Sequence, residues 1–532
     1  MIAVLWRLAF SAASGVAIVL ATATFDLWPL AWVAFLPLFA AVRGQSTGRA
    51  WLYGWAAGLV VNLGGFYWVP QLLLRFGHIP LPGSWAIFTL LALYQGLPWA
   101  ALAAGLAWLQ GRKGWSTVLL APPLMTAAEL LTPMVFDWYL AITQAWIPPV
   151  IQVAEFTGPL GVTFLIMVSN GLLDDVLRRR RGGPAAGGSW RPQLAGAALL
   201  LAALGFGFVR LHQVEAQWQQ APKLRVGTVQ GNVGIVEQLD ATLAARHHAL
   251  HLRESRKLQA AGAELIVWPE SAYPYAIERT RERDFPVGDP RRLQRGLHVP
   301  LIFGAMSYSR WEPYPYNSAY MVGRDGRFLG RYDKNYLLVF GEHIPFYEHF
   351  PRFRRWFPAA SNLARGTRVT TFPLGATRIG PMICYEDLLP AFGRRLAALH
   401  PQLLVNLTND AWFGATAEPA QHLALAVFRS VELRLDLVRA VGTGVSAIID
   451  ATGRVRAKTP VVDPAVTPRT APTTLLQTVA LMPPRATVYA RFGDVFGYAN
   501  LGLVALLCLG ALQRSAGRPK RNATKQRRGR TG

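Results

Sequence analysis

The sequence predicts an α-helical transmembrane bundle of about eight spans, with one extracytoplasmic α/β domain inserted before the last span. Three observations predict it. The 532 residues are 52% hydrophobic and only 16% charged; the apolar residues gather into runs of near-bilayer length; and alternate connections between those runs are basic. That composition excludes a wholly soluble, a disordered and a collagen-like chain. The formal charge of +24, from 54 Lys and Arg against 30 Asp and Glu, comes with 18 Trp, 26 Phe and 16 Tyr, a balance that suits contact with anionic lipid.

The spans are expected at 4–23, 27–42, 50–69, 84–109, 115–131, 150–173, 194–211 and 495–512. A helix needs roughly 17 to 25 residues to cross a bilayer, so the second and the last are at the short limit. Arg43 and Arg49 follow the second run, Arg112 and Lys113 the fourth, and Arg178, Arg179, Arg180, Arg181 and Arg191 the sixth; the intervening connections hold only Arg75. Cytoplasmic connections collect Lys and Arg. Both termini are therefore expected in the cytoplasm, and everything between the seventh and eighth runs outside it. Ala21-Thr22-Ala23 would also fit a signal-peptide cleavage site, but losing the first run would spoil the alternation. The basic tail, from Arg514 to Arg530, reads as a topology anchor on anionic lipid, not as a nucleic-acid binder. The division is then 1–212 for seven spans, 223–488 for the α/β domain, 495–512 for the last span and 513–532 for the cytoplasmic tail.

Within 223–488, short β-like runs at 224–230, 265–268, 301–305, 318–322, 378–383, 403–407 and 445–449 alternate with helical patterns near 239–261, 390–399 and 420–439. Strands alternating with helices make a layered α/β domain. Three segments carry a reactive residue at the end of an apolar run: Leu265-Ile-Val-Trp-Pro-Glu270, Tyr332-Asp-Lys334 and Ile379-Gly-Pro-Met-Ile-Cys384. Strand ends are where α/β sheets hold their sites. Taken singly, each has a structural explanation, because a buried Cys packs as a small hydrophobe and a Lys or Glu after a strand is ordinarily a solvated turn residue. Together they make an activated thiol: a free thiol is mostly protonated at neutral pH, so Cys384 needs Glu270 as a base, and Lys334 to hold the thiolate and then an oxyanion. The second cysteine, Cys508, lies in the last span and reads as packing. Two cysteines make neither a disulfide framework nor a metal site.

The segments Trp268-Pro-Glu-Ser271, Tyr332-Asp-Lys-Asn335, Phe340-Gly-Glu-His343, Ile383-Cys-Tyr-Glu-Asp387 and Asn409-Asp-Ala-Trp-Phe-Gly414, set between membrane spans, resemble the apolipoprotein N-acyltransferase family. That family's soluble part is similar to the nitrilase, or carbon-nitrogen hydrolase, superfamily. The resemblance runs over nearly the whole chain, through Thr487-Val-Tyr-Ala-Arg491. It implies an αββα nitrilase-like sandwich with Glu270 as general base, Lys334 as the triad lysine and Cys384 as nucleophile. It also implies supporting roles for Glu342, a second glutamate near the lysine, and for Tyr385 and Glu386, with the Tyr385 N–H as an oxyanion donor. Three positions depart from the family's pattern: no Lys-Trp pair follows Gln230-Gly-Asn232, Val339 stands where Pro is common, and Gly442 where Asn is common. None is in the triad, so altered loops are expected and intact chemistry.

The resemblance further implies the reaction: a phospholipid acyl chain passes to Cys384 as a thioester, then to the α-amino group of a diacylglyceryl-apolipoprotein, in a multi-pass enzyme of the bacterial inner membrane with a periplasmic catalytic domain. Both partners are anchored by acyl chains, so the site must meet the bilayer. The stretch 349–357, with Phe350, Phe353, Trp356 and Phe357 beside Arg352, Arg354 and Arg355, suits a lipid-facing loop, or an aromatic cluster under a loop. Glu129 and Glu155 sit toward the expected outer ends of spans, where a hydrated interfacial role is expected. No cofactor is called for. A membrane-tethered amidase that releases its acyl group to water would share the triad. A transporter or receptor is disfavoured, since the spans lack paired mid-depth charges and internal repeats.

Overall fold

The computed structural model describes residues 1–513 except 76, 183–188, 235–239, 340, 345–351, 353–361 and 463–470. Phe350, Phe353, Trp356 and Phe357 lie outside the described residues, as does the tail beyond 513.

Each expected apolar run falls on helix. Ile2–Ala21, Leu81–Lys113, Pro159–Arg180, Arg191–Gln220 and Val495–Gln513 are long and apolar enough to cross a membrane; Thr47–Gly65 with Val69–Arg75, bent by 52°, makes a sixth if the pair counts as one span. Trp28–Val42 and Thr117–Leu131 are shorter apolar helices. Among the described residues, length and apolarity thus give five or six spans against the eight expected, because 15 residues at ~1.5 Å each fall short of a ~30 Å hydrocarbon layer. The helices pack closely where side chains are absent: a Cβ on Gly58 would stand 2.5 Å from the Gly96 carbonyl oxygen, so these backbones touch directly.

The second half is built from two sheets. Among the described residues the first holds β1 (Lys223–Gln230), β2 (Leu265–Val267), β4 (Leu301–Tyr308), β5 (Tyr316–Val322), β6 (Phe328–Asp333) and β13 (Thr473–Ala480) in the order β13-β1-β2-β4-β5-β6, with β3 (Tyr273–Glu278) paired to β4. The second runs β12-β11-β10-β9-β8-β7, from β12 (Val455–Lys458) through β11 (Ala447–Ile449), β10 (Leu437–Val441), β9 (Leu403–Thr408) and β8 (Thr377–Ile383) to β7 (Phe372–Leu374).

Alternation along the strands makes the layers. Leu265 and Val267 of β2, with Ala319 and Met321 of β5, join Ile379, Met382, Leu404 and Val405 of the second sheet in one buried cluster. Their neighbours Ile266, Trp268, Tyr320 and Val322 face the other way, into a cluster with Leu252 and Leu258 of the helix Ala244–Ala260. With a period of two, each strand feeds the space between the sheets and the space under the outer helix. The helices Pro390–Ala397 and Glu418–Leu433 complete the αββα sandwich.

The expected helix at 420–439 stops early. It ends at Leu433, Arg434 takes a left-handed φ of +54°, and Leu437–Val441 is a central strand. The guanidinium of Arg434 explains the stop. It reaches out of the domain to Glu155 Oε2 at 2.7 Å and Gln152 Oε1 at 2.7 Å in the helical region. Arg210 closes on the same Glu155 with two 2.6 Å bonds. Glu155 is therefore a buried cross-tie, not a hydrated interfacial carboxylate. Glu129 is also buried: its Oε1 accepts the Leu140 N–H at 2.8 Å and its Oε2 the Thr163 hydroxyl at 2.8 Å. Gln421, whose Nε2 donates to Gly65 O at 2.8 Å, and the edge-on Trp68–Phe413 pair join the two halves nearer the site.

Candidate active site

Glu270 stands three residues past β2. Its backbone is pressed against β4, where the Gly304 N–H donates to Pro269 O at 3.1 Å. A Cβ on Gly304 would lie 2.6 Å from Glu270 Cα, so only glycine fits there. Ser271 then turns the chain with a left-handed φ of +52°. Lys334 follows the end of β6, its backbone N–H bonded to Asn317 O at 2.9 Å. The Lys334 Nζ, 1% exposed as a residue, lies 3.1 Å from Glu270 Oε1 and 2.8 Å from Glu342 Oε2. Asn317, on β5, clamps the same two carboxylates: its Nδ2 donates to Glu270 Oε1 at 2.6 Å and to Glu342 Oε1 at 2.8 Å. Burial raises the Glu270 pKa and Glu342 adds to that, while Lys334 and Asn317 oppose it. Burial alone would lower Lys334, but the two carboxylates hold its ammonium well above the ordinary value.

Cys384 follows β8 with a left-handed φ of +51° and opens the 3-10 turn Cys384–Leu388. A positive φ at a non-glycine residue costs about 1–3 kcal/mol and survives only where the surroundings enforce it. Two groups do so. Asn406 Nδ2 on β9 donates to Cys384 O at 2.9 Å. Glu386, fully buried, accepts from Ile383 N at 2.9 Å on Oε2 and, on Oε1, from Tyr332 Oη at 2.6 Å, Asn335 N at 2.7 Å and Tyr336 N at 3.1 Å. That carboxylate stitches the Cys384 turn to the segment that carries Lys334, and burial pushes it up to about 7 despite four donors. Cys384 lies within electrostatic reach of Glu270, Lys334 and Glu342; burial first, then the Glu270 charge, raises its thiol well above the usual range. The Tyr385 ring faces Asp137 of the helical region, and burial with that carboxylate raises its phenol.

Beneath the turn lies a second buried network. Asp387 Oδ1 meets His422 Nε2 at 2.8 Å, Asp387 Oδ2 meets Arg439 Nε at 3.0 Å, and Asp410 Oδ1 meets His422 Nδ1 at 3.2 Å. Asp410, Glu418 and His422 place three donor atoms within 4.8 Å of one another, the one such cluster among the described residues that could hold a metal ion. The Arg439 guanidinium, 3.9 Å from Asp410 Oδ2, already supplies positive charge there.

The structure thus brings Glu270, Lys334, Glu342, Cys384, Tyr385 and Glu386 together and leaves Cys508 apart in the helix Val495–Gln513. Gly442 accepts the Asn232 N–H at 3.0 Å, and with Gly231, Val233 and His251 it lines a cavity of about 20 Å³ beside Glu270. Two of the departures from the family pattern therefore meet at the flank of Glu270. Asn317 and His422 were missed. An Asn inside a strand and a His inside an apolar helix carry no local signal.

A family model described as apolipoprotein N-acyltransferase N-terminal domain matches residues 14–172, and one described as carbon-nitrogen hydrolase matches residues 225–463. An apolipoprotein N-acyltransferase of Geobacter metallireducens is 32% identical over 94% of this chain and 95% of its own. The proteins of that name from Bdellovibrio bacteriovorus and Bradyrhizobium diazoefficiens are 30% and 32% identical, over 84% and 95% of this chain and 84% and 95% of their own. With a membrane-helix half and a thiol hydrolase-type half both matched, the chain belongs to the apolipoprotein N-acyltransferase family.

Proposed function

We propose that this acyltransferase takes an acyl chain from a membrane phospholipid onto Cys384 as a thioester and passes it to the α-amino group of the N-terminal diacylglyceryl-cysteine of a lipoprotein. The carrying observation is the convergence of one half-buried thiol, one buried lysine, the buried Glu270 carboxylate and the half-buried Glu342 carboxylate on a strained turn at strand ends.

In the resting site the thiol is neutral, because burial and Glu270 both disfavour the thiolate. Attack on the ester carbonyl moves the thiol proton to Glu270 as the S–C bond forms, and the protonated Glu270 then gives that proton to the leaving lysophospholipid oxygen. Lys334, pinned by Glu270 and Glu342, keeps its charge throughout and steadies the oxyanion with the Tyr385 N–H of the first turn. In the second half-reaction Glu270 takes a proton from the attacking amine and returns it to the departing sulfur, so the C–S bond breaks, the amide forms, and Cys384 is left as the thiol with Glu270 ionised again. Asn317 and Glu342 hold Glu270 and Lys334 in register for both halves. A ping-pong order follows.

Both substrates are lipid-anchored, which fits an α/β domain cross-tied to apolar helices through Arg434, Gln421 and Trp68. The charge alternation supports a multi-pass arrangement with both termini cytoplasmic and the α/β domain periplasmic. There, a neutral resting thiol resists oxidation better than a thiolate.

The test is a two-substrate assay in detergent with acyl-labelled phospholipid and a diacylglyceryl-cysteinyl peptide. Label reaching the peptide as an amide supports the transferase; label appearing only as free fatty acid supports a hydrolase. Cys384→Ser should abolish both, and Glu270→Gln should slow transfer at least about a hundredfold, the low end of general-base effects. Full activity in either variant contradicts the assignment.

A further inference from the structure

We propose that His422 is a positioning residue for the nucleophile: its imidazolium ties the Cys384 turn, through Asp387, to the neighbouring 3-10 turn Asp410–Trp412, and Cys384 is held for attack only while both ring nitrogens carry a proton. This rests on Cys384 being the acyl carrier and goes beyond it.

The geometry sets the protonation state. Nε2 lies 2.8 Å from Asp387 Oδ1, and Nδ1 lies 3.2 Å from Asp410 Oδ1 and 3.6 Å from Glu418 Oε1. Ionised carboxylates only accept, so a ring facing one from each nitrogen must donate from both. Every charged group packed on the ring comes from a separate element: Asp387 from the nucleophile turn, Asp410 from the turn after β9, Glu418 from the ring's own helix one turn earlier, and Arg439 from β10, bonded to Asp387 Oδ2. Two carboxylates and two cations balance in a fully buried space. The fifth group, Glu418, has its carboxyl raised well above the usual range, by burial first and then by Asp410.

The coupling to the thiol is short. Asp387 is three residues from Cys384, and Asp410 is among the charges that act on its sulfur. Arg439 stands opposite Asn406 in the β9–β10 register, and Asn406 holds the Cys384 carbonyl. A neutral imidazole loses one donor, and its lone pair then faces a carboxylate. That repulsion separates the turns that flank the sulfur.

Burial and Arg439 would lower the His422 pKa, but Asp387 and Asp410 together hold it at about 9. A raised histidine keeps its contribution below its ordinary value and loses it as pH rises through the raised one. Lys334 is held well above its ordinary value, so it keeps its proton across that window.

The experiment measures the initial rate of acyl-enzyme formation from labelled phospholipid, acid-quenched, between pH 7 and 10.5, with thermal unfolding recorded alongside. The wild type should lose rate with a midpoint near pH 9. His422→Gln should form label about tenfold more slowly at pH 7, the order expected of a lost positioning contact, and should show no limb near pH 9. Asp410→Asn, which removes one of the two acceptors, should keep a limb and move its midpoint to lower pH. A wild-type rate at pH 7 in His422→Gln, or a limb left at pH 9 in either variant, overturns the proposal. If His422→Gln does not fold, the position of the limb in Asp410→Asn decides alone. No label on Cys384 in the wild type at any pH would sink the acyl-carrier reading itself, a different result from label with the wrong pH profile.

Discussion

Replacing Gly304 by alanine tests how tightly the base is placed. The new methyl carbon would stand 2.6 Å from Glu270 Cα, from Pro269 O and from Ser271 N, whereas ordinary contacts begin at 3.4 Å. All three are backbone atoms, so no side chain can swing aside. The shortfall is about 0.8 Å, and β4 is buried around Gly304, with Phe303 and Ala305 on either side at 0% exposure. The segment carrying Glu270 must shift by about that much, or β4 must bow away from it. A displacement near 1 Å at a reacting group costs about a hundredfold in rate, and overpacking a core costs about 1–3 kcal/mol. Rapid-quench acylation of Cys384 by labelled phospholipid gives the first quantity, and thermal unfolding in detergent gives the second. A Gly304→Ala enzyme that unfolds a few degrees early but acylates at the wild-type rate would refute the claim that Glu270 must sit where β4 puts it.

Glu386→Ala should strand four donors, Tyr332 Oη, Asn335 N, Tyr336 N and Ile383 N, and lower stability by at least about 3 kcal/mol with loss of acylation; Glu386→Gln, which keeps one acceptor oxygen, should cost less, as paired melting curves would show. Arg434→Met should leave Glu155 with Arg210 alone and cost about 3 kcal/mol, read as a lower melting temperature; an unchanged melt would mean that the two halves do not depend on this cross-tie. Acylation should also have an acid limb. The Glu270 pKa is raised by burial, so the rate should fall as pH drops through a value above 4.5, and Glu270→Gln should lack that limb.

Much of the site was legible because strand ends in α/β sheets are where reactive residues gather, and Glu270, Lys334 and Cys384 each end an apolar run. The helical half was legible from its apolar runs, although 15-residue Thr117–Leu131 shows that an apolar run need not be long enough to cross. The end of the helix Glu418–Leu433 was not. Apolar residues continue through Leu435, Leu437 and Val438, and in a fully buried stretch periodicity does not separate helix from strand. What divides them is Arg434, whose partners Glu155 and Gln152 lie about 280 residues away in sequence. The closing strand Thr473–Ala480 was missed for a related reason: it pairs antiparallel with Lys223–Gln230 across the length of the domain. Asn317 belongs to the same class. Its bridge between Glu270 and Glu342 exists only once β5 lies beside the turn after β2. Polar groups that join distant segments are invisible to local pattern, and this site is built largely of them.

Peptide mapping of the enzyme after incubation with phospholipid and no acceptor reads the acyl carrier itself. One acyl adduct is expected, on the peptide containing Cys384, removed by neutral hydroxylamine and absent in Glu270→Gln at short times. An adduct on any other residue, or turnover with no adduct on Cys384, would contradict Cys384 as that carrier.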